Sequence, residues 1–295
     1  MSTTAALFDA PGPRTRRRHL IYAVVGALII FGIAGWVLVT LWDAGQITLN
    51  RWAPVFTAEA WVQYFLPGIR QTVVAAAISM ALAFVFGLMF AMGRMSELAP
   101  LRWVSAVVVE FFRAVPVLIM MLFVFYLLTY NTDITGPSLS FTAVVVGLTA
   151  YNGAVIAEVV RNGVASLPAG QREAGLSIGL TSSQTRRMIL VPQALTAMMP
   201  TLVSQLVVVL KDTALGYIIL YPELLNRVRQ MGNRFGNLTV TFVVGALLFI
   251  ALNLVVTSFA QQLEKRLKRR GKTAGPITEA EPADRVLSTQ EGAVP

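Results

Sequence analysis

The sequence predicts an all-α membrane protein with six transmembrane helices, and three observations support this fold class. Hydrophobic residues make up 56% of the 295 residues, and the mean hydropathy is +0.66. Charged residues make up 13%, about half of the roughly 25% found in soluble domains. The charges also concentrate at the ends, since residues 1–19 and 263–295 hold 17 of the 39 charged residues. We therefore expect the middle of the chain to lie in lipid.

Six apolar runs are long enough to cross a membrane, because a hydrocarbon core of roughly 30 Å needs about 20 helical residues. The fifth run is too long for one span and is interrupted by Pro192 and Pro200, so its membrane part is expected to begin near Pro200. The six runs are Leu20–Leu41, Gln71–Met92, Val104–Leu128, Phe141–Val160, Ile189–Tyr221 and Leu238–Ala260.

The basic residues predict that both ends of the chain lie in the cytoplasm of a multi-pass plasma-membrane protein. With a cytoplasmic N-terminus, 17 Lys and Arg residues lie inside and five lie outside, as the positive-inside rule requires. The expected segments outside the core are a basic cytoplasmic tail at 1–19, an N-terminal transmembrane helix at 20–41, an external loop at 42–69 and a disordered cytoplasmic tail at 261–295.

The composition excludes most catalytic and metal-binding classes. The chain has no cysteine and a single histidine, His19, so it has no thiolate metal site, cysteine nucleophile or histidine-based triad. The sequence at 271–273, GKT, is not a phosphate-binding loop, because the first glycine of that motif is replaced by Arg266. The net charge is +9, but the basic residues flank apolar runs and do not indicate nucleic-acid binding. We expect no catalytic residue, metal or cofactor site in this chain.

The polar segment 166–191, between the fourth and fifth spans, is unlike the rest of the chain. A proline and a glycine interrupt its start, Gln171–Ile178 then forms a short helix, and Gly179 ends that helix. Ser182 or Ser183 is expected to cap a second helix. A short polar helix held between two spans is suited to docking another protein.

Charged side chains inside the spans cost a few kcal/mol each and therefore need partners or a function. Glu110 and Arg113 are three residues apart, as are Glu158 and Arg161, so each pair can meet on one helix face. Counted from the expected start of the fifth span, Asp212 lies about 18 Å along the helix. This places Asp212 close to the midplane of the membrane.

The motif Glu173-Ala174-Gly175, followed six residues after Glu173 by Gly179, resembles the coupling loop of ABC-importer permeases. One departure is Gly175, where many members have a second alanine. The resemblance implies that a separate ATPase dimer binds both ATP and this loop. It implies that Glu173 is the polar anchor toward the ATPase and that Gly179 makes the tight turn.

Two further stretches, FFRAVPVLIMMLF at 111–123 and LKDTAL at 210–215, resemble the polar amino acid branch of this family, and the basic start resembles actinobacterial glutamate-importer permeases. The resemblance covers residues 70–260 and implies a five-helix type I core, to which the first span is an addition. It implies alternating access, pairing with a second permease as a hetero- or homodimer, and an extracytoplasmic binding protein. Arg186 and Arg187 would hold the base of the loop to lipid phosphates or to the partner.

By the same resemblance, the segment with Asp212 and Thr213 lines the transport path, and Asp212 takes the α-ammonium group of the substrate. Gln205 lies seven residues earlier on the same helix face, at a position that is acidic in members that carry cationic amino acids. A neutral amide bonds a carboxylate or amide but does not pair with a cation, so glutamate, glutamine or aspartate is expected, and L-glutamate is favoured. Arg113 and Glu158 are further candidates for the path, and packing between helices is the alternative explanation.

Two other functions fit parts of the sequence. A secondary carrier driven by Na⁺ or H⁺ would use Asp212 and Glu158 as coupling carboxylates, but we find no inverted repeat. A membrane scaffold would explain the docking loop but not an aspartate at the midplane. An importer permease accounts for both features.

Overall fold

The computed structural model describes residues 12–271. Residues 1–11 and 272–295, which include the start of the basic tail, the last two residues of the GKT sequence and most of the expected C-terminal tail, lie outside the described residues. From residue 12 to residue 271 the secondary structure is helical and contains no strand. The all-α fold class is confirmed.

The helices are joined by short connections, and several of them continue into π or 3-10 turns. The α-helices of the described range are α1 Pro13–Asp43, α2 Leu49–Trp52, α3 Ala58–Ala60, α4 Leu66–Arg94, α5 Ala99–Ala114, α6 Val117–Asn131, α7 Gly136–Ala165, α8 Ala169–Ser177, α9 Ser182–Thr185, α10 Val191–Asp212, α11 Leu224–Phe235 and α12 Leu238–Gly271. The π turns are Trp61–Phe65 and Arg186–Leu190, and the 3-10 segments are Ala53–Phe56 and Thr213–Ile219.

Five helical runs of the described range are long and apolar enough to cross a membrane, and there are six spans if α5 and α6 count as one. These runs match the six apolar runs of the sequence in chain order. The five are Arg14–Asp43, Ala58–Arg94, Gly136–Ala165, Ser182–Ile219 and Leu238–Gln262.

The third apolar run, Val104–Leu128, is not the continuous helix that the sequence predicted. α5 ends at Ala114, α6 begins at Val117, and the two helices are bent by 100°. Pro116 explains the break, because a proline disfavours helical geometry in the residue before it. Val115 is accordingly extended, with φ −84° and ψ 127°.

Two predicted segments outside the spans are partly helical. The second-span helix begins at Ala58, so the expected external loop at 42–69 is wrong for residues 58–69. α12 continues to Gly271, so residues 261–271 are helical and not disordered. This extension is rich in Gln, Leu, Glu, Lys and Arg, which favour helices.

The fifth span is one helical run from Ser182 to Ile219, so its expected interruption at Pro192 and Pro200 is wrong. Pro192 is the second residue of α10, which begins directly after the π turn Arg186–Leu190. A π turn shifts the hydrogen-bonding register locally, which accommodates the missing N–H of a proline. Pro200 lies inside α10, as prolines do in many transmembrane helices.

The described residues divide into two compact units, of which the first comprises residues 12–74 and 214–250. Its core contains Phe65, Leu224, Val228 and Met231. Gly68 permits close packing in this unit, because a Cβ atom at that position would lie 2.9 Å from the Cα atom of Leu224. The amphipathic helix α11 lies in the segment between the fifth and sixth apolar runs.

The second unit comprises residues 75–213 and 251–271. α7 packs against α5, α6 and α10 within it. The contact between α4 and α7 depends on Gly87, where a Cβ atom would lie 2.6 Å from Cγ2 of Ile156 and 2.9 Å from the carbonyl oxygen of Gly153. The buried core of this unit includes Ala83, Ala91, Val109, Ala154, Ile156, Ala157, Val160 and Leu202.

A buried carboxylate caps α11 between the last two spans. The oxygens of Glu223 accept hydrogen bonds from the backbone N–H groups of Leu225 at 2.6 Å and Asn226 at 2.7 Å, and the side chain has no exposed surface. Burial raises the pKa of Glu223 to about 8, although the two amide hydrogen bonds act in the opposite direction. Glu223 therefore makes stability depend on pH.

We expect the stability of the chain to fall as the pH rises from about 4.5 to 8. The folded chain keeps a proton on Glu223 over this range, while the unfolded chain releases it. A rise in pH therefore favours the unfolded chain, which binds fewer protons. The Tm of the purified chain in detergent, measured between pH 5 and 8, should therefore decrease, and Glu223→Gln should flatten the decrease. Asp43→Asn, at an exposed acid of the same unit, should keep it; an equal slope in all three proteins would contradict the assignment.

Candidate functional site

The loop helix predicted between the fourth and fifth spans is present as α8. It runs from Ala169 to Ser177, so it begins two residues earlier and ends one residue earlier than the predicted range 171–178. Gly179 follows with φ +85°, a left-handed backbone conformation that favours glycine. The predicted turn at Gly179 is confirmed.

The second loop helix, α9, is capped by Thr181 and not by Ser182 or Ser183. The Thr181 hydroxyl accepts from the backbone N–H of Gln184 at 3.3 Å, and the side-chain Oε1 of Gln184 accepts from the backbone N–H of Thr181 at 2.8 Å. This reciprocal pair is a capping box. Its Thr-x-x-Gln spacing was present in the sequence and identifies the correct cap.

α8 presents one face outward and packs the opposite face on the next helix. Glu173 and Ala174 are exposed, whereas Gly175 is buried. A Cβ atom at Gly175 would lie 2.6 Å from Cγ2 of Thr185 and 3.1 Å from Cδ1 of Ile189. Glycine at this position therefore lets α8 sit directly on the π turn.

The two arginines at the base of the loop have different surroundings. Arg186 is largely buried, with 17% of its side chain exposed, and its Nη1 lies 3.7 Å from Oε1 of Glu97. Arg187 is exposed. Of these two arginines, only Arg186 therefore forms an ion pair with a described residue.

Both ion pairs predicted within single helices are present, and they belong to one larger cluster. A Glu158 oxygen lies 2.5 Å from Nη2 of Arg161, and a Glu110 oxygen lies 3.6 Å from Nη1 of Arg113. Arg94, at the end of α4, joins the two pairs at 2.7 Å from Glu158 and 3.2 Å from Glu110. Sequence reasoning missed Arg94 because it is 64 residues away from Glu158.

Gln205 makes a hydrogen bond between two helices. Its Nε2 donates to Oδ1 of Asn152 on α7 at 2.6 Å, and Nδ2 of Asn152 donates to the carbonyl oxygen of Leu148 at 2.9 Å. Asn152 is fully buried. This geometry matches the helix-packing explanation of Gln205, and the sequence offered no sign of its partner.

Asp212 is the last residue of α10 and is half-buried, next to the exposed Lys211. It has no hydrogen bond or ion pair with any residue in the described range. Thr213 is buried, and its hydroxyl donates to the carbonyl oxygen of Leu210 at 2.7 Å. The helical run begins at Ser182, so Asp212 lies about 45 Å from its first residue, and the position of Asp212 near the midplane stays a prediction.

A cavity of about 410 Å³ adjoins the charged cluster, and its lining includes Glu110, Arg113, Tyr151, Glu158 and Asn162. Arg113 keeps 38% of its side chain exposed. Of the arginines of this cluster, only Arg113 lines the cavity among the described residues. Within residues 12–271, no group of three or more His, Asp or Glu side chains could hold a metal ion.

Comparison with known proteins agrees with the architecture of the loop and spans. The family model described as binding-protein-dependent transport system inner membrane component matches residues 83–269. The glutamate transport system permease protein GluD of Corynebacterium glutamicum is 44% identical over 224 residues, covering 76% of this chain and 82% of that protein. The L-cystine transport system permease protein TcyB of Bacillus subtilis is 30% identical over 203 residues, covering 68% and 86%.

A solved structure of an amino acid ABC transporter with histidines superimposes with a TM-score of 0.62 at 25% identity, covering 68% of this chain and 93% of that chain. The fold, the family model and the relatives all identify the same class of protein. The chain is therefore a multi-pass plasma-membrane protein that belongs to the family of ABC-importer permeases, the inner membrane components of binding-protein-dependent transport systems.

Proposed function

We propose that this chain is a permease subunit of an ATP-driven importer of polar amino acids, with L-glutamate as its substrate. The observation that carries the proposal is the exposed face of α8, with Glu173 and Ala174 outward and Gly175 seated on the π turn. A rigid polar helix with one free face has the form of a docking surface for another subunit. ATP is bound by that partner, an ATPase dimer, and not by this chain.

The loop is mechanically connected to the expected substrate path. Nε2 of Gln193 on α10 donates to Oε1 of Gln171 on α8 at 3.0 Å, and α8 also packs on the π turn that leads into α10. The helical run from Ser182 carries both Gln205 and Asp212. A displacement of α8 by ATP-driven closure of the ATPases would therefore move the residues of the path, which supports alternating access.

The assembly that we propose contains a second homologous permease, in a homo- or heterodimer, and an extracytoplasmic binding protein. The resemblance of the sequence to importer permeases supports both partners, and the matched family is itself named for its dependence on binding proteins. If the transport pathway lies at the interface of two permeases, the exposed side chains of the expected path would contact the substrate there.

Glutamate is favoured by the side chains along α10 and by the relatives. Gln205 is a neutral amide, and Asp212 has its carboxylate free of hydrogen bonds and ion pairs with described residues. Asp212 would take the substrate ammonium, and Arg113, which faces a cavity, would take a carboxylate. One relative named above, at 44% identity, is a glutamate permease, and the other, at 30% identity, is a cystine permease. Both substrates are polar amino acids.

The cluster around Glu158 argues against an ion-gradient carrier. A coupling carboxylate must be free to bind and release H⁺ or Na⁺, but Glu158 is already paired with three guanidinium groups that lie within 3.8 Å. Its role in the path is therefore the structural one of holding helix ends together. Thr213 likewise has a structural role, because its hydroxyl donates a hydrogen bond to the carbonyl oxygen of Leu210.

We expect Glu173→Lys to disrupt coupling to the ATPase without unfolding the chain. Glu173 is exposed and its side chain has no hydrogen bond or ion pair with described residues, so the change reverses a charge only at the docking face. ATP-dependent glutamate uptake by the reconstituted complex should fall at least about tenfold, since a hydrogen bond to a charged group contributes about 1.5–3 kcal/mol.

The matched control for that variant is Asp133→Lys, the same charge change at an exposed acid outside the loop. It should transport at the unmodified rate. Full uptake by the Glu173→Lys complex, or an equal loss in both variants, would contradict the docking role of α8.

We expect Gln205→Glu to change which amino acids are carried. A carboxylate at this position repels the substrate carboxylate and attracts a cationic side chain, so glutamate uptake should fall about tenfold while uptake of labelled arginine becomes measurable. Gln193→Glu, an identical change on the same helix outside the expected path, should leave the ratio of arginine to glutamate uptake unchanged. A variant that loses glutamate uptake without gaining arginine uptake would show that Gln205 serves only its packing contact with Asn152.

A further inference from the structure

A second cavity, of about 490 Å³, lies at the base of the loop within the second unit. Its volume falls in the range of roughly 300–1,000 Å³ that is typical of small-molecule sites. Among the described residues, its lining contains no acidic side chain and four basic ones. These are Arg94, Arg161, Arg172 and Arg186.

The arginines of this wall are not fully neutralised. Arg94 and Arg161 share Glu158, and Arg94 also contacts Glu110. The only acid near Arg186 in the described range is Glu97, which is 68% exposed and 3.7 Å away, a weak arrangement for an ion pair. Arg172 is exposed and has no ion pair with a described residue. An excess of positive charge therefore faces the cavity.

The start of α8 adds to this positive potential. Pro168 and Ala169, at the beginning of that nine-residue helix, also line the cavity. The first N–H groups of a helix have no partner within it, and its N-terminus carries a partial positive charge. Guanidinium groups bind phosphate oxygens through two parallel hydrogen bonds.

We propose that this cavity binds a phosphate group, which is carried either by an anionic phospholipid of the adjacent leaflet or by a soluble phosphate. Arg94 and Arg161 belong to the ends of spans, whereas Arg172 and Arg186 belong to the loop. A phosphate bound between them ties the loop to the helix ends and fixes the orientation of α8. The lining of this cavity does not include Asp212, Gln205 or Arg113, and the proposal does not depend on which amino acid is carried.

The test uses the full chain in detergent and compares two exposed loop arginines, one lining the cavity and one outside it. Native mass spectrometry counts bound phosphatidylglycerol, with phosphatidylcholine as the zwitterionic reference, for the unmodified chain and for Arg172→Gln and Arg187→Gln. Inorganic phosphate is then added to the lipid-bound chain, to test whether it displaces the lipid. In a separate experiment it is added to the lipid-free chain, and the Tm is measured. Monodisperse elution of each variant confirms that it is folded.

For a lipid site we expect one retained phosphatidylglycerol per chain, an affinity about tenfold weaker in Arg172→Gln, and no change in Arg187→Gln. For a soluble phosphate site, inorganic phosphate raises the Tm of the unmodified chain and of Arg187→Gln but not of Arg172→Gln. Either result supports the proposal. It is overturned if neither probe binds, or if both variants weaken binding equally, which would indicate attraction to a basic surface in general.

Discussion

The carboxylate of Glu158 is the group on which the charged end of the second unit depends. Guanidinium nitrogens of Arg94, Arg113 and Arg161 lie within 3.8 Å of it, so α4, α5 and α7 meet at one acid. Charges in a transmembrane segment are expensive unless they neutralise one another. Loss of this acid would leave Glu110 as the remaining described acid beside Arg94 and Arg113 and would leave Arg161 without its ion pair, and removal of one member of an ion pair is costly where its partners are buried.

The position of the loop follows from this arrangement. α7 leads directly into α8 after Ala165, and α8 rests on the π turn that begins the fifth span. The capping box at Thr181 and the close contact at Gly175 leave little freedom between the loop and α10. A structure of this kind transmits movement because packed helices shift as rigid bodies and do not deform continuously. The exposed Glu173 and the residues on α10 are thus parts of one mechanical element.

The sequence predicted the spans, the short loop helix and the intrahelical ion pairs, because hydropathy, glycine and proline positions, and a three-residue spacing are local signals. It did not reveal Arg94 or Asn152, whose partners are 64 and 53 residues away and are brought near only by packing. The sequence also contains the signals for two features that were not predicted: Pro116 for the helix break, and the Thr-x-x-Gln spacing from Thr181 for the cap. Pro200 did not interrupt the helix as expected, since a proline in a helix interior is tolerated where neighbouring segments support it.

The central claim is that this chain moves glutamate only when separate subunits hydrolyse ATP. The most direct measurement is uptake of labelled glutamate into proteoliposomes that contain the complete complex, with ATP on the side of the ATPase subunits and with no ion gradient. Our account predicts accumulation that requires ATP and is abolished when ADP replaces it. Uptake that continues without ATP and follows an imposed Na⁺ or H⁺ gradient would contradict it.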